Sequence, residues 1–108
     1  MSTSAPTEIL EPWGFVLKED AAGLVAELKK EMRRAHVLSG AMVEAVARRC
    51  DCDDVLFKTD SKKGLFAVVH LTWSGKPDQF SDWPHTVFYQ SWEEWTQEDM
   101  RPAHEDYK

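Results

Sequence analysis

The chain has 108 residues and 12.4 kDa, the size of one domain, and leaves no room for a second core. With 43% hydrophobic and 30% charged residues it is neither a disordered nor a fibrous chain. No apolar run approaches the roughly 18 residues of a membrane span. Residues 1–7 have neither the basic start nor the apolar core of a secretory signal, so no membrane association and a cytoplasmic location are expected. The formal net charge of -6 is unevenly placed. Residues 1–50 balance Glu8, Glu11, Glu19, Asp20, Glu27, Glu31 and Glu44 against Lys18, Lys29, Lys30, Arg33, Arg34, Arg48 and Arg49, so the excess belongs to residues 51–108. An acidic surface repels phosphate backbones, which excludes nucleic acid as the expected partner and favours a protein with a basic surface.

Residues 1–8 are small, polar and Pro-containing and are expected to form a flexible tail, with residues 9–108 as a single α+β domain. Over residues 19–35, Val25, Leu28, Met32 and Ala35 recur at helical spacing, with acids at the start and bases further on. This predicts the first helix, which Ser39 and Gly40 break. Residues 41–50 mix helix propensity with strand alternation, and the DVLFKT strand at 54–59 requires a neighbour, so a strand is assigned. Between them lies CDCDD. Cys50 and Cys52 would point to one face of an extended segment about 7 Å apart, too far for a disulfide, and their aspartates suit a turn.

After the turn at residues 61–64, the run LFAVVHLTW over 65–73 is apolar on both faces and should lie inside the sheet. Residues 74–84 carry Gly75, Pro77 and Pro84 and read as loop, followed by a short strand at 85–89. Ser91 and Glu94 form a capping box in which Glu94 reaches back to the Ser91 amide. The second helix, from Trp92 to Met100, is expected to stop before Pro102. The assembled expectation is an α+β fold: a three- to four-stranded antiparallel sheet with the N-terminal and C-terminal helices on one face.

Ten of the twelve aromatics lie at or after Phe57. Trp73 and Trp83, at a strand end and in a loop, suit interface anchors, because an indole supplies large contact area at little rotamer cost. Trp92 and Trp95 suit a small second core. With Asp78, Asp82, Glu93, Glu94, Glu98 and Asp99 around them, Trp73 and Trp83 make the expected partner-binding surface, and Glu94 and Glu98 share one side of the helix. The alternative is a small enzyme using His70 or His85 with a nearby carboxylate, Asp78 or Asp82, and Ser74 as nucleophile. Ser74 sits in no nucleophile elbow. Phosphate-binding glycine motifs and zinc-ligand spacings are also missing from the sequence, so no cofactor, metal or catalytic residue is expected.

The block AVVHLTWSG at 67–75, with Trp83, Pro84, His85 and Thr86, then SWEEW and Met100, Arg101, Pro102, resembles small single-domain bacterial proteins of unknown function. Some proteins of this look are suspected to be toxin-immunity proteins. The resemblance spans roughly residues 24–106 and implies a bacterial cytosolic protein with no activity attached; the acidic charge and the aromatics add the expectation of a protein-binding module, of the immunity type, that blocks a basic toxin or enzyme by covering its cleft.

Overall fold

The computed structural model describes residues 9–77 and 84–107. Its order is β1 (Trp13–Phe15), α1 (Lys18–Glu31), β2 (Val43–Arg49), β3 (Asp54–Thr59), β4 (Phe66–His70), β5 (Thr86–Tyr89) and a C-terminal helix over residues 92–107. The strands form one meander in sequence order, each antiparallel to the next. The sheet therefore has five strands where three to four were expected. The extra one is β1, three residues that pair Trp13 with Arg49 and Phe15 with Ala47. So short a strand has no alternation to read and exists through its partner.

α1 follows its charges, with Glu19 and Asp20 in the first turn and Lys29 and Lys30 in the last, each sign favoured by the helix dipole. It ends at Glu31 because Met32 turns extended, four residues before the expected end at Ala35. Residues 33–41 then descend through successive turns, His36 N–H to Arg33, Ser39 N–H to His36 and Ala41 N–H to Leu38. These turns bury His36 and Leu38, which a continued helix would carry away from the sheet.

Both faces of the sheet are covered. Val55, Phe57, Ala67 and Val69 join Leu24 and Leu28 of α1 in one core. Leu56 and Val68, one residue out of step on the same strands, join Trp13, Trp95, Met100 and Ala103 in the other. Alternate residues of a strand point to opposite faces, so α1 and the C-terminal helix lie on opposite sides, which corrects the expectation of one shared face. A bulge in β2 lets that strand serve both cores. Ala45 pairs with Phe57 but Ala47 pairs with Leu56, so the extra residue Val46 shifts Ala47 onto the second face.

The C-terminal helix runs through three consecutive stretches, α-helical Trp92–Trp95, π-helical Thr96–Met100 and α-helical Arg101–Tyr107. It does not stop before Pro102. In the wider turn the Arg101 N–H reaches the Thr96 carbonyl. Pro102 thus falls in the first turn of the last stretch, where a missing N–H breaks no helical bond. At the start, the Ser91 hydroxyl accepts from the Glu94 N–H at 3.0 Å. The Glu94 carboxylate accepts from the Gln90 N–H, one residue before the expected Ser91 amide.

Burial on two faces has a direct test. Leu56→Ala should cost about 2–5 kcal/mol and Phe57→Ala about 3–5 kcal/mol in denaturant melts, because these adjacent residues fill different cores. A neutral result for either would leave one face uncovered. Ser91→Ala should cost about 1 kcal/mol by removing the cap, read as a lower midpoint with unchanged slope.

Candidate functional site

The segment after β4 leaves the sheet at Leu71, whose N–H donates to the Asp53 carbonyl in the β2–β3 turn. It is then held by two glutamates of α1. Glu31 accepts from the Thr72 N–H at 2.9 and 3.2 Å and from the Trp73 N–H at 2.7 Å. One helical turn earlier, Glu27 accepts from the Gly75 N–H at 3.0 Å. Both are buried, Glu27 7% and Glu31 2% exposed, although neither belongs to the apolar stripe of Val25, Leu28 and Met32. Two carboxyls at this spacing repel if both ionise. Burial pushes Glu31 above the usual carboxylate range, and its hydrogen bond holds Glu27 below it, so the two carboxyls titrate apart.

The strap so fixed, residues 72–75, carries Trp73 at φ 59°, the left-handed region that a bulky residue adopts only under constraint. Its side chain is nevertheless 47% exposed. Gly75 follows at φ 73°. Ser74, the candidate nucleophile, donates its hydroxyl to the Lys76 carbonyl at 2.8 Å and receives the Thr72 hydroxyl at 3.0 Å, which commits it to the strap.

Of the other expected partner-binding residues, the described ones, Glu94 and Glu98, do not gather round Trp73. Asp78, Asp82 and Trp83 lie outside the described residues. Glu94 caps the C-terminal helix at the opposite end of the sheet, where the Gln90 side chain donates to the Lys63 carbonyl of the β3–β4 turn. Glu98 is exposed further along that helix. Trp95 is fully buried, its ring centroid 5.1 Å from Trp13 and 4.8 Å from Trp92. That second core encloses Trp95 and takes Trp92, partly buried, against its edge.

What does surround the Trp73 end is the β2–β3 turn, with Asp51 and Asp53 exposed. Arg49 is held in a two-point ion pair by Asp51 at 2.8 Å, which keeps its guanidinium firmly protonated. Cys50 and Cys52 are free thiols in this turn, and Tyr107 Oη stands 3.6 Å from Cys50 Sγ. The contact brings the end of the C-terminal helix, with exposed Glu105 and Asp106, to the same place. Among the described residues no cluster of three or more His, Cys, Asp or Glu side chains is arranged to hold a metal.

Of the histidines, His70 makes a cross-strand contact that the sequence reading missed: its Nδ1 lies 2.7 Å from Asp54 Oδ1. The register places the two opposite each other in β3 and β4. His85 meets His70 through the backbone, its carbonyl accepting the His70 N–H. His36 is buried and structural, Nδ1 accepting from the Leu38 N–H and Nε2 donating to the Pro84 carbonyl. On the open side of the second core, Tyr89 Oη lies 3.5 Å from Asp99 Oδ2. Burial first, then the neighbouring acids, push Tyr89 up to about 12, and burial raises Asp99 as well.

No protein-family model matches the chain, and no curated protein or solved structure matches it either. None of the described helices is long and apolar enough to cross a membrane.

The opposite shifts of the two carboxyls give a pH signature. Folded Glu31 keeps its proton above the ordinary value of 4.5, so the folded state binds more protons than the unfolded one, and its contribution declines as pH rises through that window. Glu27, held low, acts oppositely below 4.5. Glu31→Gln keeps an acceptor for the strap and a donor for Glu27, and should flatten the decline above pH 4.5 in urea melts relative to wild type. Glu31→Ala should cost about 1–3 kcal/mol at every pH by orphaning the strap amides.

Proposed function

We propose that this chain is a protein-binding module that presents Trp73 on a preorganised strap, beside an acidic end of the sheet, to a partner with a basic surface. The mode is that of an immunity protein covering the cleft of a basic toxin or enzyme. The observation that carries this reading is the cost of holding Trp73. A non-glycine residue at positive φ costs about 1–3 kcal/mol, and two buried carboxyls are committed to amides on either side of an indole left half in water. A rigid aromatic already in its binding conformation loses little entropy on association. Asp53, Glu105 and Asp106 supply the negative rim that speeds encounter with a basic partner. Glu94 has no part in this surface, because its carboxylate is engaged in capping.

A second reading, a small enzyme with His70 and Asp54 as an acid–base pair, is favoured by the 2.7 Å contact between them. The His70 side chain is 47% exposed, and Ser74 is turned to the strap. The pair accordingly lacks the buried, oriented nucleophile that acyl transfer requires.

Affinity capture from the source cell with wild type, Trp73→Ala and Trp73→Gly, followed by kinetics on the captured protein, tests the proposal. Trp73→Gly relieves the positive φ and serves as the folding control. Loss of the indole should raise Kd roughly 30-fold or more, the size of an anchor residue. Asp53→Lys with Glu105→Lys should slow association most at low salt and change release little. A partner held equally by both Trp73 variants would refute the reading. His70→Ala should leave binding unchanged, whereas loss of a catalytic activity in that variant would favour the enzyme.

A further inference from the structure

The two edges of the sheet differ in what they leave unpaired. In an antiparallel ladder, residues alternate between bonding to the neighbouring strand and pointing their N–H and C=O groups away from it. At β1 the Cys50 N–H donates to the Pro12 carbonyl and the Val16 N–H to the Val46 carbonyl, so Trp13 and Phe15 face outward. The Trp13 N–H is bonded to the Leu10 carbonyl, which leaves Phe15 as the outward donor of that short strand. At β5 the His70 N–H donates to the His85 carbonyl, so Val87 and Tyr89 bond to β4 while Thr86 and Phe88 face outward. Among the described residues no strand pairs with that side. β5 also lacks the charges, proline or bulge that blunt many edges: Thr86–Tyr89 is uncharged, and its register with β4 is unbroken. Val87, in its middle, is 40% exposed. The outward stretch is closed at both ends, since Pro84 has no N–H and its carbonyl accepts from His36, while the Gln90 N–H donates to the Glu94 carboxylate.

We infer that β5 is the interface of a symmetric dimer, in which β5 of a second copy adds antiparallel to its outer edge and the two sheets become continuous. With the two-fold axis on Val87, each Thr86 N–H donates to the Phe88 carbonyl of the second copy, and each Phe88 N–H to the Thr86 carbonyl there. An axis on Thr86 would set Phe88 against Pro84, and an axis on Phe88 would set Thr86 against Gln90, so either shift meets a blocked group. The free groups thus read the same in both directions about Val87, which is the condition for pairing with an identical strand. The Val87 side chains meet across the axis at the closer, non-hydrogen-bonded spacing, where both leave water. No charged side chain of β5 faces its own copy, which permits self-association in a chain of net charge -6. This dimer goes beyond the proposed partner binding and does not depend on Trp73.

The test is sedimentation velocity of the full chain from about 10 µM to about 1 mM, a range that reveals any pairing of millimolar strength or better. Wild type should pass from monomer to dimer as concentration rises. In hydrogen exchange followed by NMR, protection of the Thr86 and Phe88 amides should rise with concentration, while Val87 and Tyr89, bonded to β4, stay protected throughout. Val87→Lys sets like charges opposite each other, and Thr86→Pro removes an outward N–H without touching the β4 ladder. Each should weaken the dimer at least about tenfold, whereas Trp73→Ala should dimerise like wild type. A monomer at every concentration, protection of Thr86 and Phe88 that ignores concentration, or a dimer indifferent to both β5 substitutions would overturn the inference. So would a strand of another protein that protects these amides while the chain alone stays monomeric. The wild-type exchange series decides the matter even if neither variant folds.

Discussion

A single sheet covered on both faces imposes one requirement on its inner strands: every residue in their middle must be apolar. β3 and β4 meet it with Val55, Leu56 and Phe57 against Ala67, Val68 and Val69, all buried. The two helices and the β2 bulge follow from that requirement. Each face of the sheet needs one amphipathic helix, and β2, nearer the edge, must change face partway to contribute Ala45 to one core and Ala47 to the other. Gly64 marks how closely the sheet closes at β5, since a Cβ there would lie 2.7 Å from the Tyr89 carbonyl oxygen.

Much of this was legible in the sequence because it is local. The DVLFKT strand has the bounds expected of it, and the run at 65–73 is an inner strand as its two-sided apolar pattern requires, though the strand ends at His70. Ser91 caps the C-terminal helix as the capping box indicated. The misreadings concern features decided at a distance. β1 is defined by β2, and Pro102 is tolerated because a π-helical turn precedes it. Placing both helices on one face overlooked that an inner strand with apolar side chains on both sides needs cover on both.

The candidate site was less visible. Trp73 stands out in the sequence as a candidate anchor, but the device that holds it joins Glu27 and Glu31 to amides more than forty residues away. Nothing in a helix of mixed charge distinguishes a solvated glutamate from one accepting a distant N–H. The one local sign is the like-charged pair one turn apart, unfavourable on a free helix surface and so a hint of an external donor. His70 and Asp54 are 16 residues apart and become neighbours through the β3–β4 register alone.

The aromatic cluster beneath the C-terminal helix also has an optical meaning. The Trp95 ring centroid lies 5.1 Å from that of Trp13 and 4.8 Å from that of Trp92, at interplanar angles of 83° and 50°, close enough for the excited states of each pair to couple. Their shared signal reports whether the helix is seated on the sheet. Trp73 on its strap belongs to neither core and stands in a wetter, redder-emitting environment. Among the described residues, packing and the strap thus have separate intrinsic chromophores, and a red-edge emission change with the coupled signal intact marks an event away from that packing.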